Sequence, residues 1–525
     1  MTSHDPTLER PIVVAERPSA GTPRPYEFPA VTRTALDNGL TVLVADLPGR
    51  PLISASVVVP LGAADEPSEV AGATVLAARA LTEGTERYDA IALTEATERL
   101  GAAIHAEAGW DAMSVGVDVP AARLGPALEL LAEVVLRPTF PEHEVDRLRD
   151  ERLNDLLQAQ ADPRRRADET YIGTIYAPSS PYHRPSAGTR ETVERLDPAT
   201  LRRTYERILD PVRATFIVAG DLGGQDVAAM AAELFGSWSA PTAGTPVEPI
   251  DTTTAASGRI VRIVHRPGSV QTEIRIGHPG LPRLVPDFHA VSVMSAILGG
   301  LFNSRLNMQL REAKGYTYGA GAGFDMRRGA GPFTARAAVN TEVTVPAILD
   351  TLAELERIRA EPVSAGELAA ARDFLVGVFP LRFETPGAVV GALAGLAVHD
   401  LPLAELIDYR SHVEAVDIEA VHAAARDHIH LERAAIVLVG DVDAMGPGLE
   451  AAGLGTLVID RDDAPRLPIP AAAEIESSEL VGPADGSDDA GPTAGAQEPS
   501  LPGTDEPASA DVSSGDDSAG GPLDR

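Results

Sequence analysis

Two segments of the chain repeat one pattern at a fixed separation. "DPATLRRTYERIL" (197–209) continues into "DPVRATFIVAGDL" (210–222), and "DIEAVHAAARDHI" (417–429) continues into "HLERAAIVLVGDV" (430–442). The separation between Asp197 and Asp417 holds through both segments without a gap. Each unit begins with an aspartate suited to cap an amphipathic helix and ends with an apolar strand and a Gly-Asp pair. A register shared over the whole of both units therefore predicts two homologous halves.

The boundary between the halves is predicted from composition. "SAPTAGTPVEPIDTTTAASG" (239–258) lies between the two units and is rich in proline, serine, threonine and glycine, as linkers are. The expected divisions are a flexible N-terminal extension (1–29), a first domain (30–240), a linker (241–256), a second domain (257–462) and a disordered acidic tail (463–525).

The C-terminal tail carries much of the negative charge of the chain. The 525 residues have a formal net charge of −33, and residues 471–525 contain 13 acidic residues and one arginine. With few large apolar side chains to bury, this segment is predicted to be disordered and solubilising, and an acidic docking peptide is the alternative. The overall charge argues against nucleic acid and anionic membranes as partners, because both require a basic face.

The cysteine content and the N-terminal segment indicate the expected cellular compartment. The chain has no cysteine, which excludes disulfides, thiolate metal ligands and a cysteine nucleophile. Its N-terminal segment (1–30) lacks the apolar region of a signal peptide, and no apolar run long enough to span a membrane occurs. We therefore expect a soluble, cytoplasmic protein.

Strands and helices mix without strict alternation. "GLTVLVADL" (39–47) and "ISASVVVPLG" (53–62) are predicted to be neighbouring strands. Helices are expected from residue 70 to about residue 157, interrupted by "AAIHAEAGWDAMSVGVDV" (102–119), whose alternation predicts a strand pair with a turn at residues 109–111. Runs of strands beside runs of helices predict an α+β fold.

Several segments resemble the pitrilysin/insulinase family in order and spacing. They are "LDNGLTVLV" (36–44), "GAADEPSEVAGATVLAARALTEGT" (62–85), "SPYHRPSAGT" (180–189) and "GGLFNSRLNMQLREAKGYTYG" (299–319). With both helix-strand units, the resemblance covers about residues 30–460. Members of this family are inverzincin metallopeptidases, so the resemblance implies two homologous sheet-plus-helix halves that form a clamshell.

The zinc motif of that family is His-x-x-Glu-His on a helix, with a distal glutamate as third ligand. Positions i, i+3 and i+4 share one helix face, so two imidazoles and a general-base carboxylate meet at one water molecule. The motif requires all of these residue types at this spacing, because zinc needs neutral imidazole or carboxylate ligands.

This chain departs from the family at that motif. Counted back from "EGT" (83–85), the ligand and base positions fall on Val75, Ala78 and Arg79. Valine and alanine cannot bind zinc, and arginine would repel it. Asp155 stands where the distal glutamate is expected and is more simply explained as part of a solvated helix face.

The remaining histidines offer no replacement. The sequence has neither His-x-x-Glu-His nor His-Glu-x-x-His elsewhere, and His143, His428 and His430 are better explained as structural or exposed residues. This chain is therefore expected to bind no cofactor. Zinc is expected in a partner subunit.

The second half keeps a different part of the family's active site. The family supplies an arginine and, seven residues later, a tyrosine, which reach the substrate beside the metal. Arg311 and Tyr318 have this spacing within "LREAKGYTYGAG" (310–321), which also contains the only lysine of the chain. The resemblance implies that both side chains hold the substrate carbonyl and stabilise the oxyanion.

The local pattern predicts how these two side chains are presented. A helix is expected over residues 301–313, ending at Lys314 and Gly315, with glycine suited to the C-terminal cap. A strand is expected from Tyr316, with Tyr316 and Tyr318 on one face, so that Arg311 and Tyr318 converge. The alternative is that Arg311 caps the helix and Tyr318 fills the core.

Two further residues in matching segments have weaker signals. Arg305, in the same helix as Arg311, is expected to be structural. His105 lies in a strand that resembles the family's substrate-pairing edge, where it either touches the peptide or is a surface histidine.

A chain with the arginine-tyrosine pair and no metal site is half of an active site. The resemblance implies the non-zinc subunit of a heterodimeric peptidase, inactive alone, whose partner is a family subunit with His-x-x-Glu-His and whose substrates are peptides. A catalytically inert structural or scaffold member of the same family is the alternative. A self-sufficient metallopeptidase would need an unrecognised zinc site.

Overall fold

The computed structural model describes residues 24–240, 248–255 and 258–461. Residues 1–23 of the expected extension, residues 241–247 and 256 of the expected linker and the expected tail at 463–525 lie outside these ranges. The statements about structure below concern the described residues.

The first half contains a six-stranded sheet in the order β1-β2-β6-β3-β5-β4. The strands are Val31–Ala35 (β1), Thr41–Asp46 (β2), Leu52–Val59 (β3), Ala103–Ala108 (β4), Met113–Pro120 (β5) and Thr215–Gly220 (β6). The second half contains a six-stranded sheet in the order β12-β7-β11-β8-β10-β9. Its strands are Ile260–His265 (β7), Gln271–Pro279 (β8), Ala320–Phe324 (β9), Pro332–Asn340 (β10), Ala435–Gly440 (β11) and Thr456–Asp460 (β12).

Helices pack on both sheets. In the first half they are Ala73–Ala80 (α1), Ala90–Arg99 (α2), Leu124–Leu136 (α3), Glu142–Ala161 (α4), Pro163–Ile175 (α5), Arg190–Val193 (α6), Pro198–Ile208 (α7) and Val227–Phe235 (α8). In the second half they are Phe288–Ser295 (α9), Thr344–Ala360 (α10), Ala365–Val378 (α11), Pro386–Val398 (α12), Ala404–Ile407 (α13), Tyr409–Ala415 (α14), Ile418–His428 (α15) and Val442–Ala452 (α16). The predicted α+β fold of two homologous sheet-plus-helix halves is confirmed.

The internal repeat is reproduced residue by residue. Helix α7 and strand β6 have the same bounds as α15 and β11 after the shift that brings Asp197 onto Asp417. The Asp197 side chain accepts from the Thr200 amide at 2.7 Å, and the Asp417 side chain accepts from the Ala420 amide at 2.8 Å. The local signals of cap and periodicity therefore act in the same way in both halves.

The two N-terminal strands predicted to be neighbours are not paired with each other. Strand β6 lies between them, parallel to β2 and antiparallel to β3. Every residue of β6 is buried, which explains its continuous apolar run. The strand pair β4-β5 was predicted correctly, and β4 forms one edge of the first sheet.

One helix of each half packs against the sheet of the other half. Helix α5 of the first half packs on β8 and β11, and α12 of the second half packs on β3 and β6. The buried Tyr171 hydroxyl of α5 donates to the Phe333 carbonyl of β10. This exchange joins the two halves into one packed unit.

Part of the expected flexible extension is packed. Phe28 is buried, and its ring meets Phe383 at 5.0 Å between centroids. Tyr26 contacts Phe379 and Phe383 of the second half. For residues 24–29 the expectation of a flexible extension is therefore wrong, because their aromatic side chains join a core that only the folded second half provides.

No single helix of the described chain has the length and apolarity to cross a membrane, and one bent pair, Ala365–Phe383 with Pro386–Val398, reaches them only across a bend of 113°.

Candidate functional site

Helix α1 carries the positions at which the family binds zinc. Ala78 is fully buried in the apolar core of the first half, and Val75 is partly buried. The Arg79 side chain points outward, and its Nη2 lies 2.9 Å from Glu151 Oε2 of α4. Helix α1 therefore packs against α4, and none of its three residues at the family's zinc-motif positions is a metal ligand.

Asp155 is engaged by two arginines. The Arg165 guanidinium donates from Nη1 to Oδ1 at 2.7 Å and from Nη2 to Oδ2 at 3.0 Å, and Arg152 donates to Oδ2. The hydrogen bonds from Arg165 hold the pKa of Asp155 below its usual range. A metal ion would have to displace both guanidinium groups, and Val75 and Arg79 would add no ligand. The residues present do not fit zinc.

The other histidines singled out in the sequence are held in ordinary ways. His143 is exposed beside Glu144. His428 Nε2 lies 2.7 Å from Asp287 Oδ2, and the backbone amide of His430 donates to His278 Nε2 at 2.9 Å. These contacts of His428 and His430 connect segments of the second half.

One further group has the spacing of metal ligands: His265, Asp441 and Asp443. His265 Nδ1 already accepts a hydrogen bond from the Val442 amide at 3.2 Å, and Asp441 Oδ2 accepts one from the Gly268 amide at 2.7 Å. A neutral histidine whose Nδ1 accepts a hydrogen bond carries its own proton on Nε2, which blocks that nitrogen as a ligand.

The first half makes the same two bonds without a histidine. Asp46 Oδ1 accepts the Leu222 amide at 3.1 Å, and Asp221 Oδ2 accepts the Gly49 amide at 3.0 Å. These aspartates occupy the positions of His265 and Asp441 in the repeat. His265 and Asp441 therefore hold a loop in place in the second half, as Asp46 and Asp221 do in the first half.

The helix that carries Arg311 is shorter and wider than predicted. Helical structure begins at Arg305, not at residue 301, and Asn307–Ala313 forms a π-helix. It ends at Lys314 as predicted, and Gly315 adopts φ +63°, the left-handed conformation that favours glycine at a helix end. π-Helical turns are uncommon and occur often at functional sites.

The Arg311 guanidinium is held on two sides. Its Nε and Nη2 donate to Glu312 Oε1 at 2.9 and 2.7 Å. Its central carbon lies 3.7 Å from the centre of the exposed Phe302 ring. This geometry gives Arg311 a fixed orientation at the surface through an ion pair and a cation–π contact, and it does not cap the helix.

Tyr318 lies outside any strand. Strand β9 begins at Ala320, so the prediction that Tyr316 and Tyr318 share a strand face is wrong. Tyr318 is 96% exposed, and among the described residues its hydroxyl has no hydrogen-bond partner. The alternative that Tyr318 fills the core is therefore also wrong.

Arg305 has the structural contacts that the sequence suggests. Its side chain is 7% exposed, and it donates to Glu367 of α11 from Nε at 2.6 Å and from Nη2 at 3.1 Å. Glu367 also accepts the Ser364 amide at 2.8 Å in a capping box. Burial raises the pKa of Glu367, but the bonds from Arg305 and Ser364 outweigh it and lower the pKa to about 2.

His105 lies on the edge strand β4. It is paired in register with Gly116 of β5, and its ring occupies the space that a larger residue at that position would need. Its Nδ1 is 4.0 Å from Asp118 Oδ2, and the side chain is about half exposed. Contact of His105 with a peptide stays a prediction.

Three residues around Arg311 and Tyr318 were missed by sequence reasoning. They are Phe302, which stacks on Arg311, Thr317, which closes the turn at Tyr318, and Asn307, which bridges two backbone segments. Only the Thr317-x-Gly319 turn has a local sequence signal. Phe302 meets Arg311 through the path of the chain before the π-helix, and Asn307 meets Ala320 through its path after the π-helix.

The paired halves and the altered α1 helix define a class: a metallopeptidase-like protein whose own zinc motif is lost. Comparison with known families is consistent with this. Residues 41–180 match the model described as Insulinase (Peptidase family M16), and residues 195–375 match the model described as Peptidase M16 inactive domain. The chain belongs to the pitrilysin/insulinase family, as an inactive-type member.

Its curated relatives are named in two ways. An uncharacterized zinc protease of Mycobacterium tuberculosis is 25% identical, over 78% of this chain and 93% of its own length. One of Streptomyces coelicolor is 24% identical, over 76% and 87%. A protein of Helicobacter pylori named a non-peptidase homolog is 20% identical, over 70% and 84%.

Solved structures agree on the fold. A peptidase M16 inactive domain from Pseudomonas fluorescens matches with a TM-score of 0.73 and 25% identity, covering 78% of this chain and 98% of that one. A protease from Helicobacter pylori matches with the same TM-score and 19% identity, covering 79% and 100%, which indicates a shared fold.

Proposed function

We propose that this chain is the non-zinc subunit of a heterodimeric peptidase. A partner subunit of the same family with an intact His-x-x-Glu-His would hold the zinc and activate the attacking water. This chain contributes Arg311 and Tyr318 to the shared site, where peptides are cleaved. Alone, it is inactive.

The exposure of Tyr318 is the observation that carries this proposal. An aromatic side chain that is 96% exposed buries almost no apolar area within its own chain, so it adds little to the stability of the subunit alone. Its phenol is free to donate to a substrate. On the helix before it, the Arg311 side chain is 21% exposed and stacks on the Phe302 ring.

We assign the pair the following chemistry. Arg311 donates hydrogen bonds to the carbonyl oxygen of the substrate before attack, and Tyr318 donates to the same oxygen as negative charge develops on it. The ion pair with Glu312 has to open or to shift when the substrate binds, which Arg311 can do because Glu312 is itself exposed.

The test is reconstitution. This chain and a zinc-bearing family subunit from the same genome are purified separately and then mixed with a quenched fluorescent peptide library. Each subunit alone is expected to be inactive, and the mixture is expected to cleave peptides and to elute as a heterodimer. Cleavage by this chain alone, or a mixture that neither associates nor gains activity, would contradict the proposal.

One observation favours the inert scaffold as a second candidate. Arg311 already has an ion-pair partner and a stacking partner within its own chain. A scaffold subunit would associate with its partner and support cleavage, but its Arg311→Ala and Tyr318→Phe variants would leave turnover unchanged. The same mixture therefore separates the two functions.

A further inference from the structure

The segment that presents Tyr318 is fixed at its start. It runs from Lys314 at the end of the π-helix to Ala320 at the start of β9. Gly315 donates to the Arg311 carbonyl at 3.1 Å, and Tyr316 donates to the Leu310 carbonyl at 2.8 Å. The backbone therefore leaves the helix in one defined direction.

The turn at Tyr318 is closed by a single hydroxyl group. Thr317 Oγ1 donates to the Gly319 carbonyl at 2.9 Å and accepts the Gly319 amide at 3.1 Å. Both bonds span Tyr318, so the backbone of the most exposed aromatic residue in the described chain is held on both sides.

Asn307 fixes the end of the segment and ties it to the Arg311 side. Its Oδ1 accepts the Ala320 amide at 2.8 Å, and its Nδ2 donates to the Leu301 carbonyl at 3.2 Å. Leu301 precedes Phe302, whose ring lies under the Arg311 guanidinium. One amide side chain therefore joins the backbone behind Tyr318 to the backbone behind the stacking partner of Arg311.

We propose that Asn307 is the positioning residue of the arginine-tyrosine pair, which sets the position of Tyr318 relative to Arg311. This inference rests on the proposed function. A catalytic donor must be held close to its productive position before the substrate arrives, and a displacement of about 1 Å costs on the order of 10²-fold in rate. Among the described residues the Tyr318 hydroxyl has no partner, so its position depends on its backbone.

The test uses the reconstituted heterodimer with three variants. Asn307→Leu has a similar size and removes both hydrogen bonds, and Asn307→Asp keeps the acceptor for the Ala320 amide. The matched control is Gln309→Leu, a polar residue of the same π-helix that makes no side-chain hydrogen bond among the described residues.

We expect Asn307→Leu to lower kcat by about 10- to 100-fold, with KM changed less than about twofold. We expect Asn307→Asp to lower kcat by less than Asn307→Leu does, because it keeps the bond from the Ala320 amide and loses the bond to the Leu301 carbonyl. We expect Gln309→Leu to leave kcat unchanged. In a Tyr318→Phe background, Asn307→Leu should lower kcat little further, because Asn307 acts through the position of the Tyr318 hydroxyl.

A second readout is independent of catalysis. The chain has no cysteine, so a nitroxide attached to a Gly319→Cys variant reports motion from a single site. Gly319 precedes Ala320, and a Cβ at this position would have no atom within 4 Å. Its spectrum should show faster motion with Asn307→Leu and no change with Gln309→Leu.

The outcomes distinguish a failure of the positioning role of Asn307 from a failure of the proposed function. If Tyr318→Phe lowers kcat but Asn307→Leu neither lowers kcat nor mobilises the label, the positioning role is wrong and the proposed function stands. An Asn307→Asp variant as damaged as Asn307→Leu would also overturn it, and this variant decides the matter if Asn307→Leu does not fold. If Tyr318→Phe has no effect on kcat, the proposed function and the inference both fail.

Discussion

Arg165 grips Asp155 with two nitrogen atoms, Nη1 at 2.7 Å from one carboxylate oxygen and Nη2 at 3.0 Å from the other. This fork-to-fork geometry is the strongest form of an arginine–carboxylate pair. It occupies the carboxylate that stands where the family has its third zinc ligand. An ion-pair contact between α4 and α5 is therefore found where a metal centre would require a free acid.

The first prediction concerns metal content. Because Val75 and Arg79 replace the histidines and Asp155 is paired, the purified chain should carry no stoichiometric zinc, and a chelator should leave its melting temperature unchanged. Elemental analysis and calorimetry check this. About one zinc per chain, held with a nanomolar dissociation constant, would show that an unrecognised site exists.

The second prediction concerns the pair itself. In the reconstituted heterodimer, Tyr318→Phe should lower turnover by about 10² to 10³, because one oxyanion donor is lost while the ring remains. Arg311→Ala should do similar or greater damage and also raise KM. The double variant should cost less than the sum of the two in free energy.

Arg305→Lys is the matched control for these two variants. Arg305 lies on the same helix as Arg311, and the substitution removes its two hydrogen bonds to Glu367 of α11. It should therefore lower the melting temperature and affect turnover less. Normal assembly with wild-type cleavage by Tyr318→Phe would rule out the shared-site mechanism.

The third prediction concerns pH. The pKa of Glu367 is about 2 in the folded chain and about 4.3 in an unfolded one, so the stability it contributes is present above about pH 4.3. It is lost as the pH falls through the folded value. Glu367→Gln should therefore destabilise the chain by about 1–2 kcal/mol at neutral pH, and the difference should shrink below about pH 4.

Differential scanning calorimetry between pH 7 and pH 3 measures this difference. The matched control is Glu312→Gln, whose carboxylate is exposed and paired with its neighbour Arg311, and which should change the melting temperature little at any pH. A constant difference between wild type and Glu367→Gln across this range would contradict the pKa of Glu367.

The fourth prediction concerns the joint between the halves. Tyr171→Phe removes the hydroxyl that donates to the Phe333 carbonyl and leaves that buried acceptor without this donor. The cost should be about 1–3 kcal/mol of unfolding free energy, measured by urea denaturation. Because α5 and α12 each pack on the sheet of the opposite half, the two halves should unfold together, and the variant should still show a single transition. Two separate transitions in the wild type would show that the halves are not coupled.

The fifth prediction concerns the tail. Its composition offers little apolar area, so removal of residues 471–525 should leave the melting temperature and the association with the partner unchanged. Thermal melts and size-exclusion chromatography compare the truncated and full chains. A large loss of stability would show that the tail packs on the folded halves, and a loss of association alone would support the acidic docking peptide.

The sequence by itself determined the features that depend on near neighbours. The duplication, the caps at Asp197 and Asp417, the β4-β5 pair and the helix end at Gly315 were all predicted, because each is set by periodicity or by a residue within one turn. The absence of the zinc motif is likewise a matter of residue type at fixed spacing.

The tertiary structure alone decided the features that join distant segments. Strand β6 lies between β2 and β3 although it comes far later in the chain, α5 and α12 cross to the opposite sheet, and Asp155 meets Arg165 from the next helix. The same is true of Tyr318, which the sequence placed on a strand. Tyr318 is exposed because β9 pairs with β10 only from Ala320 onwards, so the tyrosine lies on the turn before the strand.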